Sequence, residues 1–345
     1  MSRSCVSAIL SFLLIAGFFF FLFPVKAFSV PVLKEGAKYR VHQRSQSQAP
    51  VRSTTTLGSY RDISGIKKNV SFLSNLSRRF SPRLISAKSI VVMDSATGRT
   101  LFSRSPDTPR QPASTIKVLT GMLAIDSLTN REKVRVSQKA ARQPRSKIYL
   151  DQRKTYQAND LINAVLLASA NDASVALAEK IAGSEQKFAR KMTGLAQRLG
   201  ATNTVCKTAS GLTAKGQKTT ARDLAVIFRK VMQHKEFAGR MKRAKIKTSY
   251  GKLLRNHNKA LWQIDGTLGG KTGYTNAARQ TYVGKFKRGN DVIIVAIMGS
   301  ETMWGDLKRL VNYGFARKKQ LAGAKKSEPY RSRTAGVSVA FSPSG

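Results

Sequence analysis

Acidic residues are scarce in this sequence. Its 345 residues include 18 Asp or Glu against 61 Lys or Arg, so the formal net charge is +43. Three His disfavour a histidine-rich metal enzyme, and two Cys exclude a disulfide scaffold. Such an excess of positive charge predicts attraction to a polyanion: nucleic acid, an anionic membrane face or an acidic wall polymer. The 41% hydrophobic content still suffices for a core, in one large or two ordinary domains.

The N-terminus carries a long apolar run. Arg3 precedes it, Val6 to Phe23 form it, and Val25-Lys26-Ala27 approximates a cleavage site. We therefore predict a secretory signal peptide at residues 1–27. The alternative is an uncleaved anchor, because this run approaches the ~20 residues that span a bilayer. Either interpretation places the chain in the periplasm or cell envelope, which argues against a nucleic-acid partner.

The rest of the chain divides into three parts. Residues 28–86 are rich in Ser and Gln, and Lys34 to Lys88 hold twelve basic residues against two acidic ones. Low hydrophobicity with one sign of charge predicts a disordered stalk. Residues 87–316 have the apolar periodicity of a globular domain, and residues 317–345 again predict a basic disordered tail.

Strand patterns stand at both ends of this globular part. Lys88 to Asp94 and Arg99 to Ser103 predict a hairpin, and Gln280 to Phe286 with Asp291 to Met298 predict a second strand pair. The segments between them have helical spacing, and a closing helix is expected from Gly305 to Phe315. This arrangement predicts an α/β or α+β domain whose terminal segments share one sheet.

Three short motifs carry candidate chemistry. Ser114 and Lys117 are three residues apart, so on a helix their side chains share a face. A serine hydroxyl becomes a strong nucleophile when a base takes its proton, and a desolvated lysine can be that base. This pairing by itself is a weak signal.

The second and third motifs supply polar groups. Ser169-Ala170-Asn171 separates two apolar helical segments and offers a hydroxyl and an amide. Lys271-Thr272-Gly273-Tyr274 follows two glycines and offers a cation and a hydroxyl for a carboxylate. This last segment is not a phosphate-binding P-loop, because Asp265 stands where that motif needs its first glycine.

The order and spacing of the motifs form a specific pattern. Together they resemble the S-x-x-K, S-x-N and K-T-G set of the penicillin-recognising acyl-serine enzymes. The resemblance is closest to the D-alanyl-D-alanine carboxypeptidases of peptidase family S11. Further segments that resemble this family are Asp94 to Phe102, Arg110 to Ser114, Asn171 to Ala176, Ala209 to Leu212, Thr220 to Ala225 and Asn256 to Asn258. The similarity therefore covers nearly all of residues 87–316.

The resemblance implies a fold and a mechanism. The fold is a β-lactamase/transpeptidase-like domain, with an antiparallel sheet of N- and C-terminal strands, flanking helices and an all-α insertion. Ser114 would attack the peptidoglycan stem peptide with Lys117 as base. Ser169 would relay the proton, Asn171 would hold the substrate amide, and β-lactams would inhibit. The residues Lys271, Thr272, Gly273 and Tyr274 would bind the substrate, and neither cofactor nor metal is needed.

Three positions depart from the family pattern. Relatives often carry Gly where Ala170 stands and Gly where Arg279 stands, and some carry an arginine within the segment matching residues 301–306. Several alternatives remain open: a D,D-endopeptidase that cuts cross-links, a class A β-lactamase, and a non-catalytic basic envelope-binding protein. The positive charge would hold any of these against anionic envelope polymers.

Overall fold

The computed structural model describes residues 81–327. The predicted signal peptide, all but the end of the predicted stalk and the last 18 residues of the predicted tail lie outside the described residues. Within the described part, none of the helices combines the length and apolar character needed to cross a membrane.

A five-stranded antiparallel sheet organises the fold. Its strands are β1 (Ser89–Asp94), β2 (Thr100–Arg104), β7 (Thr267–Thr275), β8 (Arg279–Arg288) and β9 (Asp291–Ser300), in the order β2-β1-β9-β8-β7. The N-terminal hairpin joins the C-terminal strands through β1 and β9, where Val91 lies opposite Ala296. The predicted sheet of terminal strands in an α+β domain is therefore confirmed.

The segment between β2 and β7 is mainly helical. Its helices are α1 (Lys117–Ser127), α2 (Gln138–Ala141), α3 (Ala158–Leu166), α4 (Asn171–Ala182), α5 (Glu185–Arg198), α6 (Ala221–Val231), α7 (Lys235–Met241) and α8 (Ala260–Gln263). It also contains two short antiparallel ribbons, β3 (Lys133–Arg135) with β4 (Thr155–Gln157) and β5 (Lys245–Lys247) with β6 (Leu253–Arg255). The predicted all-α insertion is wrong in this respect, because three-residue strands leave little periodic signal.

Apolar side chains pack on both faces of the sheet. Along β1, Val91 and Met93 face the helical insertion, whereas Ile90 and Val92 face the C-terminal helix α9 (Met303–Ser327). Successive side chains of a strand point to opposite faces, so a strand buried on both sides needs an uninterrupted apolar run. This explains the continuous apolar sequence of β1 and β9. The sheet therefore separates two apolar cores, one on each of its faces.

Helix α9 continues beyond the predicted end of the domain. It runs to Ser327, so the prediction of a disordered tail is wrong for residues 317–327. Lys318 forms ion pairs with Asp94 at 2.9 Å and Asp291 at 3.3 Å, and Leu321 packs against the apolar cluster between the sheet and α9. These contacts attach the extra turns to the sheet.

The predicted stalk also ends earlier than expected. Pro82–Leu84 form a 3-10 helix, and the Ile85 side chain is buried. The fully buried Asp306 carboxylate accepts hydrogen bonds from the Ser86 N–H, the Ser86 hydroxyl and the Ala87 N–H. The boundary predicted at residue 87 is therefore a few residues late, because these polar contacts have no periodic signature.

Candidate active site

The nucleophile segment lies at the start of α1. Ala113–Ile116 form a 3-10 helix that continues directly into α1 at Lys117. Ala113 has a φ of 49°, in the left-handed region that residues with a Cβ rarely occupy. This turn places Ser114 and Lys117 one helical turn apart, with Ser114 Oγ 2.9 Å from Lys117 Nζ.

Lys117 has a complete set of partners. Its Nζ donates to Asn171 Oδ1 at 2.7 Å and to the Ser210 carbonyl oxygen at 2.6 Å. Both of these oxygens accept hydrogen bonds and cannot donate any. A neutral amine has two N–H groups and one lone pair, so with both N–H groups committed the lone pair faces Ser114 Oγ.

The electrostatic environment favours this neutral form. Lys117 is fully buried, and burial together with the nearby Lys271 holds its pKa well below the usual value, while Asp172 opposes the shift. Removing a charge from water disfavours the protonated amine, and a second cation adds to that effect. The lowered pKa increases the unprotonated fraction of Lys117, and that form is able to accept the Ser114 proton.

Asn171 is held in one orientation by backbone carbonyls. Its Nδ2 donates to the Pro144 and Arg145 carbonyl oxygens at 2.9 and 3.1 Å. Two acceptors on one side identify that atom as nitrogen, which turns Oδ1 toward Lys117. In the free enzyme Asn171 thus positions the base, and both of its polar groups have protein partners.

Ser169 and Lys271 form the second polar pair of the site. Lys271 Nζ donates to Ser169 Oγ and to the Thr272 carbonyl oxygen, each at 2.9 Å. Burial lowers the pKa of Lys271 to about 7. Ser169 has a φ of 58°, so its backbone is also in the left-handed region. Such conformations persist where the surrounding structure enforces them, often at functional sites.

Two glycines allow the backbones to approach the nucleophile. A Cβ on Gly273 would stand 2.8 Å from the Ser114 nitrogen and 2.5 Å from Thr281 Oγ1. A Cβ on Gly211, which has a φ of 79°, would overlap the Ala113 carbonyl oxygen. Edge strand β7 and the loop at Gly211 therefore enclose Ser114 from two sides.

The site opens into a cleft with a volume of about 460 Å³. Ser114, Ser169, Asn171, Thr272, Gly273 and Tyr274 line it. Trp304 and Arg145 add an aromatic and a cationic wall. No Asp or Glu of the described residues lines the cleft, and no His, Cys, Asp and Glu cluster of that part of the chain could hold a metal ion.

His257 also stands in the wall of the cleft. Burial, Lys271 and Lys117 together lower its pKa to about 4. The imidazole is therefore neutral at physiological pH. It therefore adds no positive charge beside Lys117 and Lys271.

The structure brings all eight predicted site residues to one place. Sequence reasoning missed the role of Ser210, whose carbonyl oxygen takes a Lys117 N–H, although Ala209 to Leu212 resembles a family segment. It also missed that Lys271 and its neighbours lie on strand β7, since glycine is depleted in strands. A backbone carbonyl has no residue-specific signature, so the first omission has no sequence signal that could have corrected it.

Comparison with known families and structures agrees with this geometry. Residues 77–302 match Peptidase_S11, described as D-alanyl-D-alanine carboxypeptidase. The D-alanyl-D-alanine carboxypeptidase DacB2 of Mycobacterium tuberculosis is 36% identical over 241 residues, which cover 67% of this chain and 82% of the relative. DacF of Bacillus subtilis is 32% identical over 240 residues, 65% of this chain and 60% of that protein.

Solved structures have the same fold. A D-alanyl-D-alanine carboxypeptidase from M. tuberculosis H37Rv superimposes with a TM-score of 0.63 at 34% identity, covering 67% of this chain and 91% of that one. Penicillin-binding protein D2 from Listeria monocytogenes, in its ampicillin-bound form, gives 0.63 at 27% identity and covers 68% and 100%. Together with the family match, these similarities show that the chain belongs to peptidase family S11, the D-alanyl-D-alanine carboxypeptidases.

Proposed function

We propose that this protein is a serine-type D-Ala-D-Ala carboxypeptidase that removes the terminal D-alanine from peptidoglycan stem peptides. The observation that carries the proposal is the Ser114–Lys117 pair, in which a buried amine with a strongly lowered pKa lies 2.9 Å from the hydroxyl. Family membership supports the substrate class. Residues 81–327 then form the catalytic domain, which extends at both ends beyond the bounds predicted from the sequence, residues 87–316.

Acylation begins when Lys117 removes the Ser114 proton. Ser114 Oγ attacks the carbonyl carbon between the two D-alanines, and the negative charge develops on the carbonyl oxygen. Backbone N–H groups of Ser114 and Tyr274 would bind that oxygen, and such donors contribute about 3–4 kcal/mol each. The proton then reaches the leaving amine through Ser169, which releases D-alanine and leaves an ester on Ser114.

The substrate carboxylate would lie at Lys271 and Thr272. Lys271 is buried with a pKa of about 7, and contact with an anion stabilises its protonated form by offsetting part of the solvation energy lost on burial. Strand β7 is at the edge of the sheet, paired only with β8 within the described residues, so a peptide strand can add alongside it. The terminal carboxylate then reaches Lys271 while the preceding carbonyl reaches Ser114.

Hydrolysis of the ester completes the cycle. Water takes the place of the leaving amine, and Lys117 accepts a proton from it as it attacks the ester carbonyl. The bond from the carbonyl carbon to Ser114 Oγ then breaks, Oγ recovers the proton from Lys117, and the shortened stem peptide leaves with a new terminal carboxylate. β-Lactams would acylate Ser114 in the same way, and their ring-opened product remains attached and obstructs the water. The cleft has no carboxylate among its described lining residues, whereas a class A β-lactamase deacylates with a glutamate.

We further propose an envelope location, supported by the predicted signal or anchor and by the family. The net charge of +43 would hold the enzyme against anionic envelope polymers. Exposed charges are screened beyond about 8 Å at physiological ionic strength, so this binding should weaken as salt is added. If retention of the protein on isolated cell walls does not change with salt concentration, the proposed electrostatic binding to envelope polymers is contradicted.

The test of the activity uses the full chain and three substrates. A stem pentapeptide should release D-alanine with the wild type and not with Ser114→Ala. A cross-linked peptide dimer, cut faster than the pentapeptide, would instead identify the open alternative, a D,D-endopeptidase. Rapid turnover of penicillin would identify a β-lactamase. If the wild type acts on none of the three substrates, the remaining alternative is the non-catalytic basic envelope-binding protein.

A further inference from the structure

Residues 144–150, called the strap from here on, contribute to the wall of the catalytic cleft. Arg145 and Ser146 line the cleft from this segment. The strap is attached to the second motif, because the Asn171 N–H donates to the Ser146 carbonyl oxygen at 2.7 Å. The buried Asp172 carboxylate accepts from two further N–H groups of the strap, at 3.0 and 3.1 Å. The backbone of the strap is therefore fixed at the edge of the site.

The Arg145 guanidinium is held at one of its nitrogens and open at the other two. Its Nε donates to the Tyr149 hydroxyl at 3.1 Å. Within the described residues, its two terminal nitrogens have no hydrogen-bond partner, and the side chain forms no ion pair. The terminal nitrogens of a guanidinium present parallel N–H groups that match the two oxygens of a carboxylate. Arg145 is therefore an oriented, unoccupied anion-binding group on the cleft wall.

Two further cations stand around Tyr149, whose ring is 58% exposed. Lys147 Nζ lies 5.4 Å and Lys252 Nζ 5.5 Å from the centre of this ring. Both amines donate to backbone carbonyl oxygens, and neither has a carboxylate partner within residues 81–327. Asp151, just after the strap, is already committed to an ion pair. The strap thus presents a local excess of positive charge, which attracts an anion toward Arg145.

The direction of the bound peptide determines which group Arg145 meets. In the proposed reaction the terminal carboxylate lies at Lys271 and the scissile carbonyl lies at the Tyr274 N–H. The peptide then runs antiparallel to β7, so its earlier residues extend toward Thr275. Thr275 and Arg145 both line the cleft. The residue that precedes the two D-alanines would therefore lie in the part of the cleft that these two side chains border.

We propose that Arg145 is a specificity-determining residue that binds a free carboxylate on the side chain of the stem residue preceding the two D-alanines. The inference rests on the proposed function, because it takes the binding direction from that reaction. The two terminal nitrogens donate to the carboxylate oxygens, and Tyr149 positions the guanidinium through Nε. Lys147 and Lys252 add attraction without direct contact. The enzyme thereby prefers stems that carry this carboxylate over stems in which it is amidated or absent.

The kinetic test uses pentapeptides that differ only at the third residue. One carries a side-chain amine with a free carboxylate, one carries the same residue as its carboxamide, and one carries lysine. Wild type should show a kcat/KM about tenfold higher for the carboxylate than for the other two, mainly through KM, which is equivalent to ~1.4 kcal/mol. In Arg145→Gln this ratio should fall below about twofold, because the glutamine amide lacks the charge and the paired donors.

Arg142→Gln is the matched control. Arg142 is exposed, follows α2 directly and is not among the residues that line the cleft. The substitution removes the same single charge three residues away, so the preference for the carboxylate should remain about tenfold. If Arg142→Gln loses the preference as fully as Arg145→Gln, the effect is one of overall charge and the assignment to Arg145 is overturned.

The remaining outcomes separate this inference from the proposed function. If wild type cleaves none of the three peptides, the proposed function fails and the inference falls with it. If it cleaves all three with equal kcat/KM, the inference is contradicted and the proposed function stands. If Arg145→Gln slows all three equally and keeps the ratio, Arg145 serves a part that the peptides share, such as the terminal carboxylate, and the inference is again contradicted.

A binding measurement tests the same preference without any change at Arg145. In Ser114→Ala the pentapeptides should bind without being cleaved, so calorimetric titration gives Kd directly. The carboxylate peptide should bind about tenfold more tightly than its carboxamide. Equal Kd values would overturn the proposal whether or not Arg145→Gln folds correctly.

Tyr149→Phe tests how the guanidinium is positioned. The substitution removes only the hydroxyl that accepts from Arg145 Nε. The preference for the carboxylate should fall to about threefold, through KM and not kcat, because a less ordered guanidinium loses more conformational freedom on binding. A preference that stays tenfold in Tyr149→Phe would contradict the positioning role of Tyr149.

Discussion

Asn171 Oδ1 accepts a hydrogen bond from Lys117 Nζ at 2.7 Å, so the second motif acts directly on the base of the first. An amide oxygen can accept from a neutral amine without stabilising a full positive charge, as a carboxylate would do. The Asn side chain thereby orients the Lys117 amine toward Ser114 without adding a negative charge that would favour protonation. Positioning the base is thus a role of Asn171 that precedes any contact with substrate.

Asn171→Asp should raise the pKa of Lys117, because a carboxylate at this position favours the protonated amine. The acylation rate at neutral pH should fall by about 10²-fold, and the pH at which the rate is half-maximal should move upward. Acylation by a fluorescent penicillin, followed from pH 5 to 10, measures both effects. An unchanged profile would contradict the assigned role.

Lys117→Arg should remove general-base catalysis while keeping a long basic side chain. A guanidinium remains protonated at every accessible pH, so it has no lone pair for the Ser114 proton. Acylation should slow by about 10²–10⁴-fold. Stopped-flow measurement of penicillin labelling tests this, with far-UV circular dichroism to verify folding. Labelling within tenfold of wild type would assign the base elsewhere.

Gly273→Ala should separate catalysis from folding. The new Cβ would stand 2.8 Å from the Ser114 nitrogen and would displace β7 from the oxyanion-binding region. Loss of a donor in that region costs about 10²–10³ in kcat. D-alanine release from a pentapeptide measures this loss.

A glycine elsewhere provides the control for that variant. Gly239 lies within α7, and a Cβ at this position would have open space around it, with no neighbouring side chain within 4 Å. Gly239→Ala should leave activity intact and raise stability slightly, by about 1 kcal/mol at most. Equal activity of the two variants would show that β7 need not approach Ser114 so closely.

Lys271 should set the alkaline limit of the reaction. Its pKa of about 7 means that it loses its charge above neutral pH and then binds the substrate carboxylate less well. We expect kcat/KM for a stem pentapeptide to decline with a midpoint near that pH. Lys271→Gln should be slow throughout and lack this decline. An alkaline decline that persists in Lys271→Gln would assign it to another group.

The same lysine should lower stability at neutral pH. The folded pKa of about 7 lies below the ordinary 10.5, so between these values the unfolded chain binds more protons and stability rises with pH. Lys271→Met should flatten that rise and increase Tm at pH 7 by several degrees. Thermal denaturation at pH 7 and pH 10 tests this. A Tm that falls at pH 7 in Lys271→Met would contradict it.

Periodic and motif-based features could be predicted from the sequence. The hairpin at Ser89–Asp94 and the closing pair at Asp291–Ser300 have the continuous apolar runs of strands buried on both faces. The eight candidate site residues were predicted because their spacing resembles a known set. These are signals that the chain carries in consecutive or regularly spaced residues.

Features that depend on tertiary contacts could not be predicted. Strand β7 is rich in glycine because it must approach Ser114, and that composition favours a loop when read locally. The last turns of α9 are basic, and only the ion pairs of Lys318 with distant carboxylates attach them to the fold. The Ser210 carbonyl acts through its backbone, which no residue type reveals.

The central claim is that Ser114 forms a covalent ester with its substrate. Intact-mass spectrometry of the full-length protein after incubation with penicillin, followed by peptide mapping, tests it most directly. We predict one added penicillin on the peptide that contains Ser114, none in Ser114→Ala, and far slower addition in Lys117→Arg. An adduct on a different residue, or none in the wild type, would contradict the account.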